Sequence, residues 1–281
     1  MPHETVDIAI IGAGAAGLMA AIAAARAQPH GFKILLLDTR EKIGAKILIS
    51  GGTRCNVTNV KVTPKDYEGG PKYFVKHVLE AFTPVETLEF FKEIGVEVVL
   101  EPSGKYFPVT HSGKTVLDAL LKETGRLGIL LKTGMRITGI EKSGEVFYLK
   151  SCPGGCLGSS AEWTAQRVLL ATGGLSYPET GSDGTGLELS KKLGHSIIKT
   201  VPALTPLTTD DADWKSLTGI AMNACLSFFK NGRKEAEREG PFLFTHFGFS
   251  GPAALDISRF VASTNPGDRP QIMASFLPGE T

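Results

Sequence analysis

Three glycines set between an apolar run and a helix-forming run constrain this chain more than any other feature. The segment "VDIAIIGAGAAGLMAAIAAARAQPHGFKILLL" spans residues 6–37 and is followed at once by Asp38. Residues 6–11 are an apolar, β-branched run of strand length. Gly12, Gly14 and Gly17 come next at the spacing G-x-G-x-x-G, and small helix formers continue to Ala27. A second apolar run, Ile34 to Leu37, ends in the acid. Gly12 permits the tight turn out of the strand, Gly14 leaves room for a pyrophosphate, and Gly17 lets the helix lie close on the sheet. Free N–H groups and the positive dipole end of the helix then attract phosphates. Asp38, 21 residues past Gly17, is placed to accept hydrogen bonds from a ribose hydroxyl. The register predicts a βαβ unit that binds an adenine dinucleotide.

The same stretch is uncharged from residue 8 to residue 25, close to the length of a membrane span. Glu4 and Asp7 precede it with no Lys or Arg, where a secretory signal needs a positive start. With 30 basic and 29 acidic residues, the chain has no field that favours nucleic acid or a membrane face. The four cysteines, at 55, 152, 156 and 225, are too few and too scattered for a disulfide framework. These features predict a cytoplasmic protein with a small-molecule ligand, and they leave the oligomeric state open.

Downstream of Asp38, the loop "SGGTRCNVTN" is rich in oxygen-binding side chains. Its Gly51 and Gly52 admit a ligand to the main chain, and Arg54 offers a bidentate phosphate contact. Residues 72–94 read as two helices, the second opened by a Thr83–Glu86 capping box with Pro84 at its first position. Val85, Leu88, Phe91 and Ile94 form its apolar stripe. A helix over 112–127 precedes short strands at 129–132, 135–141 and 145–151 and around Trp163–Thr164, an antiparallel meander. Cys152 and Cys156 flank a glycine-rich turn with no second ligand pair, so no metal site is expected. Val168–Ala171 reads as a buried strand broken by Thr172-Gly173-Gly174, a third glycine turn bordering the same crevice. A helix over 185–193 follows, then strands at 217–229 and 241–247 and a helix starting near Pro252.

Taken together, "DIAIIGAGAAGLMAA", "GAKILISGGTRCNVTN", "ATGGLSYPETGSDGTG", "PALTPL" and "FTHFGFSGPAALDISR" resemble the bacterial HI-0933-like, or aminoacetone-oxidase-like, NAD(P)/FAD-dependent oxidoreductases. The resemblance implies an α/β fold: a Rossmann-like FAD-binding domain of the glutathione-reductase type over residues 1–199, with a meander at about 135–166, and part of a β-barrel domain over 200–281. By the same resemblance, Gly12, Ala13, Gly14, Ala15, Ala16 and Gly17 would hold the pyrophosphate and Asp38 the ribose. Lys46, Ser50, Gly51, Gly52, Arg54, Cys55 and Asn56 would line the flavin side. Thr172, Gly173 and Gly174 would cover the dinucleotide, and Ile137 would lie against the adenine. FAD is the implied cofactor and NAD(P)H a candidate electron donor.

Thr53 stands where the family uses glycine, and "GSDGTG" transposes the family's acid and hydroxyl. The family also continues past the end of this sequence into a segment that returns to complete both domains. A C-terminally truncated relative is therefore expected, either a fragment or a remnant that binds nucleotide without turnover. The glycine fingerprint alone would also suit an NAD-dependent dehydrogenase. No general base stands out; His111, His195 and Cys55 are each better explained as structural or cofactor-lining.

Overall fold

The computed structural model describes residues 4–27, 31–153 and 161–277. The chain divides into two compact units, residues 1–197 and 198–281. In the first unit, strand β1 (Glu4–Ile11) leads into helix α1 (Ala15–Ala27) and strand β2 (Ile34–Leu37). A short helix α2 (Ala45–Ile49), a two-residue strand β3 (Thr58–Asn59) and helices α3 (Lys72–Ala81) and α4 (Pro84–Glu93) follow. Then come strands β4 (Val98–Leu100) and β5 (Lys105–Pro108), helix α5 (Gly113–Arg126), strands β6 (Leu130–Lys132), β7 (Met135–Ser143), β8 (Val146–Pro153) and β9 (Ala161–Leu170), and helix α6 (Thr185–Lys192).

The central sheet has the order β6-β2-β1-β9-β8-β7. Its first four strands are parallel, and β9, β8 and β7 continue it as an antiparallel meander. Strand order reverses between β1 and β9, so the carboxyl ends of these strands flank a topological switch point. Alternation along β2 explains its full burial. Ile34 and Leu36 face the cluster built with Leu18 and Ile22 of α1 and Leu120 of α5, while Leu35 and Leu37 face Leu149 and Trp163.

Local signals are realised at several helix ends. Thr83 and Glu86 close the capping box of α4 with Pro84 in its first turn. The apolar stripe of α4 needs correction: Val85 is 62% exposed, and Phe90 and Phe91 carry the burial. Strand β9 also differs from the sequence reading. Trp163–Thr164 and Val168–Leu170 belong to one strand that pairs β1 in parallel and β8 in antiparallel, and Leu169 is 43% exposed rather than buried. Cys156 lies outside the described residues.

The second unit is a five-stranded antiparallel sheet of order β10-β13-β12-β11-β14. Its elements are β10 (Leu207–Thr208), a short helix α7 (Ala212–Ser216), β11 (Ala221–Lys230), β12 (Arg233–Thr245), β13 (Gly248–Ser250), helix α8 (Pro252–Ala262) and β14 (Pro270–Ser275). Ala253, Ala254 and Ile257 of α8 pack on Leu226, Phe228 and Phe242 to form its core. Among the described residues, no helix is long and apolar enough to cross a membrane.

Candidate functional site

The carboxyl ends of β1, β2 and β9 open into a crevice of about 470 Å³ within the first unit. Its floor is the turn after β1. Gly12 has φ +104°, and a Cβ there would lie 2.4 Å from the Ala171 carbonyl oxygen, so only glycine lets β1 and β9 leave the sheet side by side. A Cβ at Gly17 would lie 1.8 Å from the Gly12 carbonyl oxygen, which fixes how closely α1 packs on the strand. At Gly14 a Cβ would meet nothing within 4 Å, so this glycine faces open space. No acidic side chain occupies the first turn of α1, and helix geometry leaves its first amides without intrahelical acceptors.

The second wall is the end of β2. Asp38 Oδ2 accepts a hydrogen bond from the Ala13 amide at 2.7 Å, and Oδ1 accepts one from the Arg40 amide at 2.8 Å. Each carboxylate oxygen keeps a further lone pair for a ligand hydroxyl. The third wall is the return of the chain between β9 and α6. Gly173 takes φ +75°, and a Cβ there would lie 2.4 Å from Ser182 Oγ. Ser182 is 6% exposed, and its hydroxyl accepts from Lys46 Nζ at 2.5 Å. Arg40 donates to the Glu179 carbonyl. Arg136 donates to Asp183 at 2.8 Å and to Thr185 at 2.7 Å. Hydrogen bonds from Thr185, joined by the Arg136 guanidinium, hold the Asp183 carboxyl down to about 2.

Of the residues singled out in the sequence, Gly12, Gly14, Ala15, Ala16, Asp38, Lys46, Ile137, Thr172 and Gly173 line this crevice. Ala13 touches it through Asp38, and Gly17 sits behind it under α1. Gly174 is not among the lining residues, nor are Ser50, Gly51, Gly52, Arg54, Cys55 and Asn56. Of the last six, Gly51, Arg54 and Asn56 approach the small sheet β3-β5-β4 instead. Arg54 pairs with Glu101 at 2.5 Å and lies 4.0 Å from the centre of the Phe107 ring. Cys55 is buried, and that burial pushes its thiol up. The Asn56 amide faces the Thr58 and Tyr106 carbonyls. His111 and His195 also lie outside the crevice lining. Residues not singled out that line it include Arg40, Ile43, Ser182, Asp183 and Thr185. Ser182, Asp183 and Thr185 fall within the quoted "GSDGTG" stretch, whereas Arg40 and Ile43 had only proximity to a glycine as a sequence signal. Among the described residues, no cluster of side chains could hold a metal ion.

Curated proteins similar to the chain over most of its length include two with different names. The chain is 33% identical over 272 residues to the 3-dehydro-bile acid delta(4,6)-reductase of Clostridium scindens, covering 96% of this chain and 64% of that protein. It is 31% identical over 262 residues to the ribosomal RNA dihydrouridine synthase of Escherichia coli, covering 92% of this chain and 61% of that protein. The chain thus spans less than two thirds of the length of either relative. Among solved structures, a 3-ketosteroid-delta4-(5alpha)-dehydrogenase from Rhodococcus jostii shares the fold, with a TM-score of 0.52 and 18% identity over 69% of this chain and 55% of that one. The family model described as the HI0933-like protein Rossmann domain matches residues 6–257. The strand order, the glycine turns and this match lead to one conclusion: the chain belongs to the HI0933-like protein Rossmann domain family.

Proposed function

We propose that this chain binds FAD and serves as the flavin domain of an oxidoreductase acting on a small organic molecule, with NAD(P)H as a candidate reductant. The observation that carries the reading is the Asp38–Ala13 hydrogen bond, which joins the ribose acid to the glycine turn on one crevice. The crevice fits the adenine dinucleotide half of FAD. Gly14 faces open space where a phosphate would lie, small residues leave the first amides of α1 uncovered, and Ile137 offers an apolar surface to an adenine. Asp38 would hold the ribose and Thr172–Gly173 would close over the dinucleotide. The names of the two curated relatives, one a reductase and one a dihydrouridine synthase, support a redox role.

When bound, the flavin supplies two-electron chemistry, accepting or donating a hydride. The chain's own residues contribute binding and orientation. The α1 amides and dipole favour the diphosphate, and Asp38 fixes the ribose through its remaining lone pairs. The visible spectrum of the purified protein, before and after FAD is added, tests the reading. Yellow protein with a flavin band supports it. Protein that remains colourless and shows no melting shift with FAD overturns it. If the ligand released on denaturation has the mass of NAD, the reading becomes a nicotinamide-dependent dehydrogenase. Flavin held without turnover of any reductant makes the chain a binding module.

A further inference from the structure

Among the described residues, no ion pair neutralises the charge of Lys46. The residue sits on α2 and lines the crevice, and its ammonium donates to the hydroxyl of Ser182 at 2.5 Å. Ser182 in turn donates to the Thr172 carbonyl at 3.4 Å, so its lone pairs are directed at the lysine. Among the described residues, no carboxylate lies within ion-pairing distance of Lys46 Nζ. The neighbouring acids are engaged elsewhere: Asp38 by two backbone amides, and Asp183 by Arg136 and Thr185. The other basic side chain lining the crevice, Arg40, also meets only a neutral acceptor, the Glu179 carbonyl, but it is exposed to solvent whereas Lys46 is half-buried. A half-buried ammonium that meets only a neutral hydroxyl is poorly compensated, and it keeps N–H donors to spare.

Its position says what would compensate it. A Cβ built at Gly173 would lie 3.7 Å from Lys46 Nζ, and one built at Gly12 would lie 2.9 Å from the Cα of Thr172. The ammonium therefore stands against the third glycine turn, which itself abuts the first. Gly14, Ala15 and Ala16 at the start of α1 line the same crevice as Lys46, so a diphosphate bound at those amides would share the crevice with the ammonium. We propose that Lys46, oriented by Ser182, is the counter-charge for the diphosphate of the bound dinucleotide, rather than a contact for the flavin ring. This rests on the dinucleotide reading given above.

ADP carries the diphosphate without the flavin, so it separates the two possibilities. Lys46→Met should weaken FAD and ADP alike by about 10- to 100-fold, the range of a charge-assisted hydrogen bond. Adenosine binding should not change. Lys46→Arg should recover most of the loss, and Ser182→Ala should give a smaller loss for both diphosphate ligands. Raising the salt concentration should weaken ADP binding to the wild type more than to K46M. The proposal is overturned if K46M loses FAD affinity while its ADP affinity matches the wild type, because the lysine would then serve the flavin half. It is overturned equally if neither affinity moves. Should K46M fail to fold, Lys46→Gln and Ser182→Ala carry the same comparison. Wild-type protein that binds neither FAD nor ADP would reject the dinucleotide reading itself, and this inference with it.

Discussion

The carboxylate of Asp38 is hydrogen-bonded to the main-chain amide of Ala13 at 2.7 Å, across 25 residues of sequence. One contact thereby ties the end of the second strand to the turn after the first, and it sets the width of the crevice between them. Replacing it by Asp38→Asn should leave the Ala13 amide with a weaker or absent acceptor. Stability should fall by about 1–3 kcal/mol, the cost of leaving a partly buried donor unpaired. Dinucleotide affinity should fall with it. Denaturant unfolding and FAD titration of the same variant measure the two losses separately.

Two of the three glycines of the fingerprint, Gly17 and Gly14, should respond differently to alanine. At Gly17 the added methyl would sit 1.8 Å from the Gly12 carbonyl oxygen, so α1 must shift off the strand. Gly17→Ala should cost about 3 kcal/mol or more, as backbone overpacking does. At Gly14 the methyl meets nothing within 4 Å. Gly14→Ala should keep the ligand-free protein within about 1 kcal/mol of wild type, yet reduce dinucleotide binding sharply. Thermal melts of both variants with and without FAD check the contrast. Equal losses in the two ligand-free proteins would contradict it.

Acid sensitivity should centre on Glu123 of α5. Hydrogen bonds from Arg126, aided by Arg26, hold its carboxyl well below the usual 4.5, at about 2. The unfolded chain therefore takes up this proton before the folded one does. The stabilisation is fully present above about pH 4.5 and is lost as the pH falls toward 2. Arg126 is 63% exposed, so solvent screening keeps the contribution near 1–2 kcal/mol. Glu123→Gln should destabilise the protein at neutral pH, and its deficit should shrink between pH 4.5 and 2. Urea unfolding of both proteins across that range is the measurement.

The third wall of the crevice should loosen when its anchor is removed. Asp183 accepts from the Thr185 amide at 3.1 Å and hydroxyl at 2.6 Å while pairing with Arg136. Asp183→Asn weakens all three contacts. Hydrogen exchange at residues 180–187 should accelerate, with no change in β1 or β2. Uniform acceleration across the first unit would instead indicate general destabilisation.

Much of the fold is legible in local chemistry. The strand–turn–helix–strand–acid order, the Thr83 cap and the α8 start after Gly251 each depend on residues only a few positions apart. The single strand formed by residues 161–170 was not legible, because pairing with β1 and with β8 is decided over long separations. The site shows the same division. Nine of the residues chosen from the sequence meet at the crevice. Arg54, chosen for its phosphate-binding chemistry, pairs with Glu101, 47 residues away.

The sequence by itself determined that β1, the glycine turn, α1 and Asp38 form one unit, because each step there is governed by backbone sterics, helix dipoles and hydrophobic alternation within a few residues. Only the tertiary structure decided which distant side chains complete the crevice. Lys46 and Ser182 are 136 residues apart, and no local rule relates a lysine on a short helix to a buried serine on the far wall. Their meeting follows from strand order, which brings the ends of β1, β2 and β9 to one edge of the sheet.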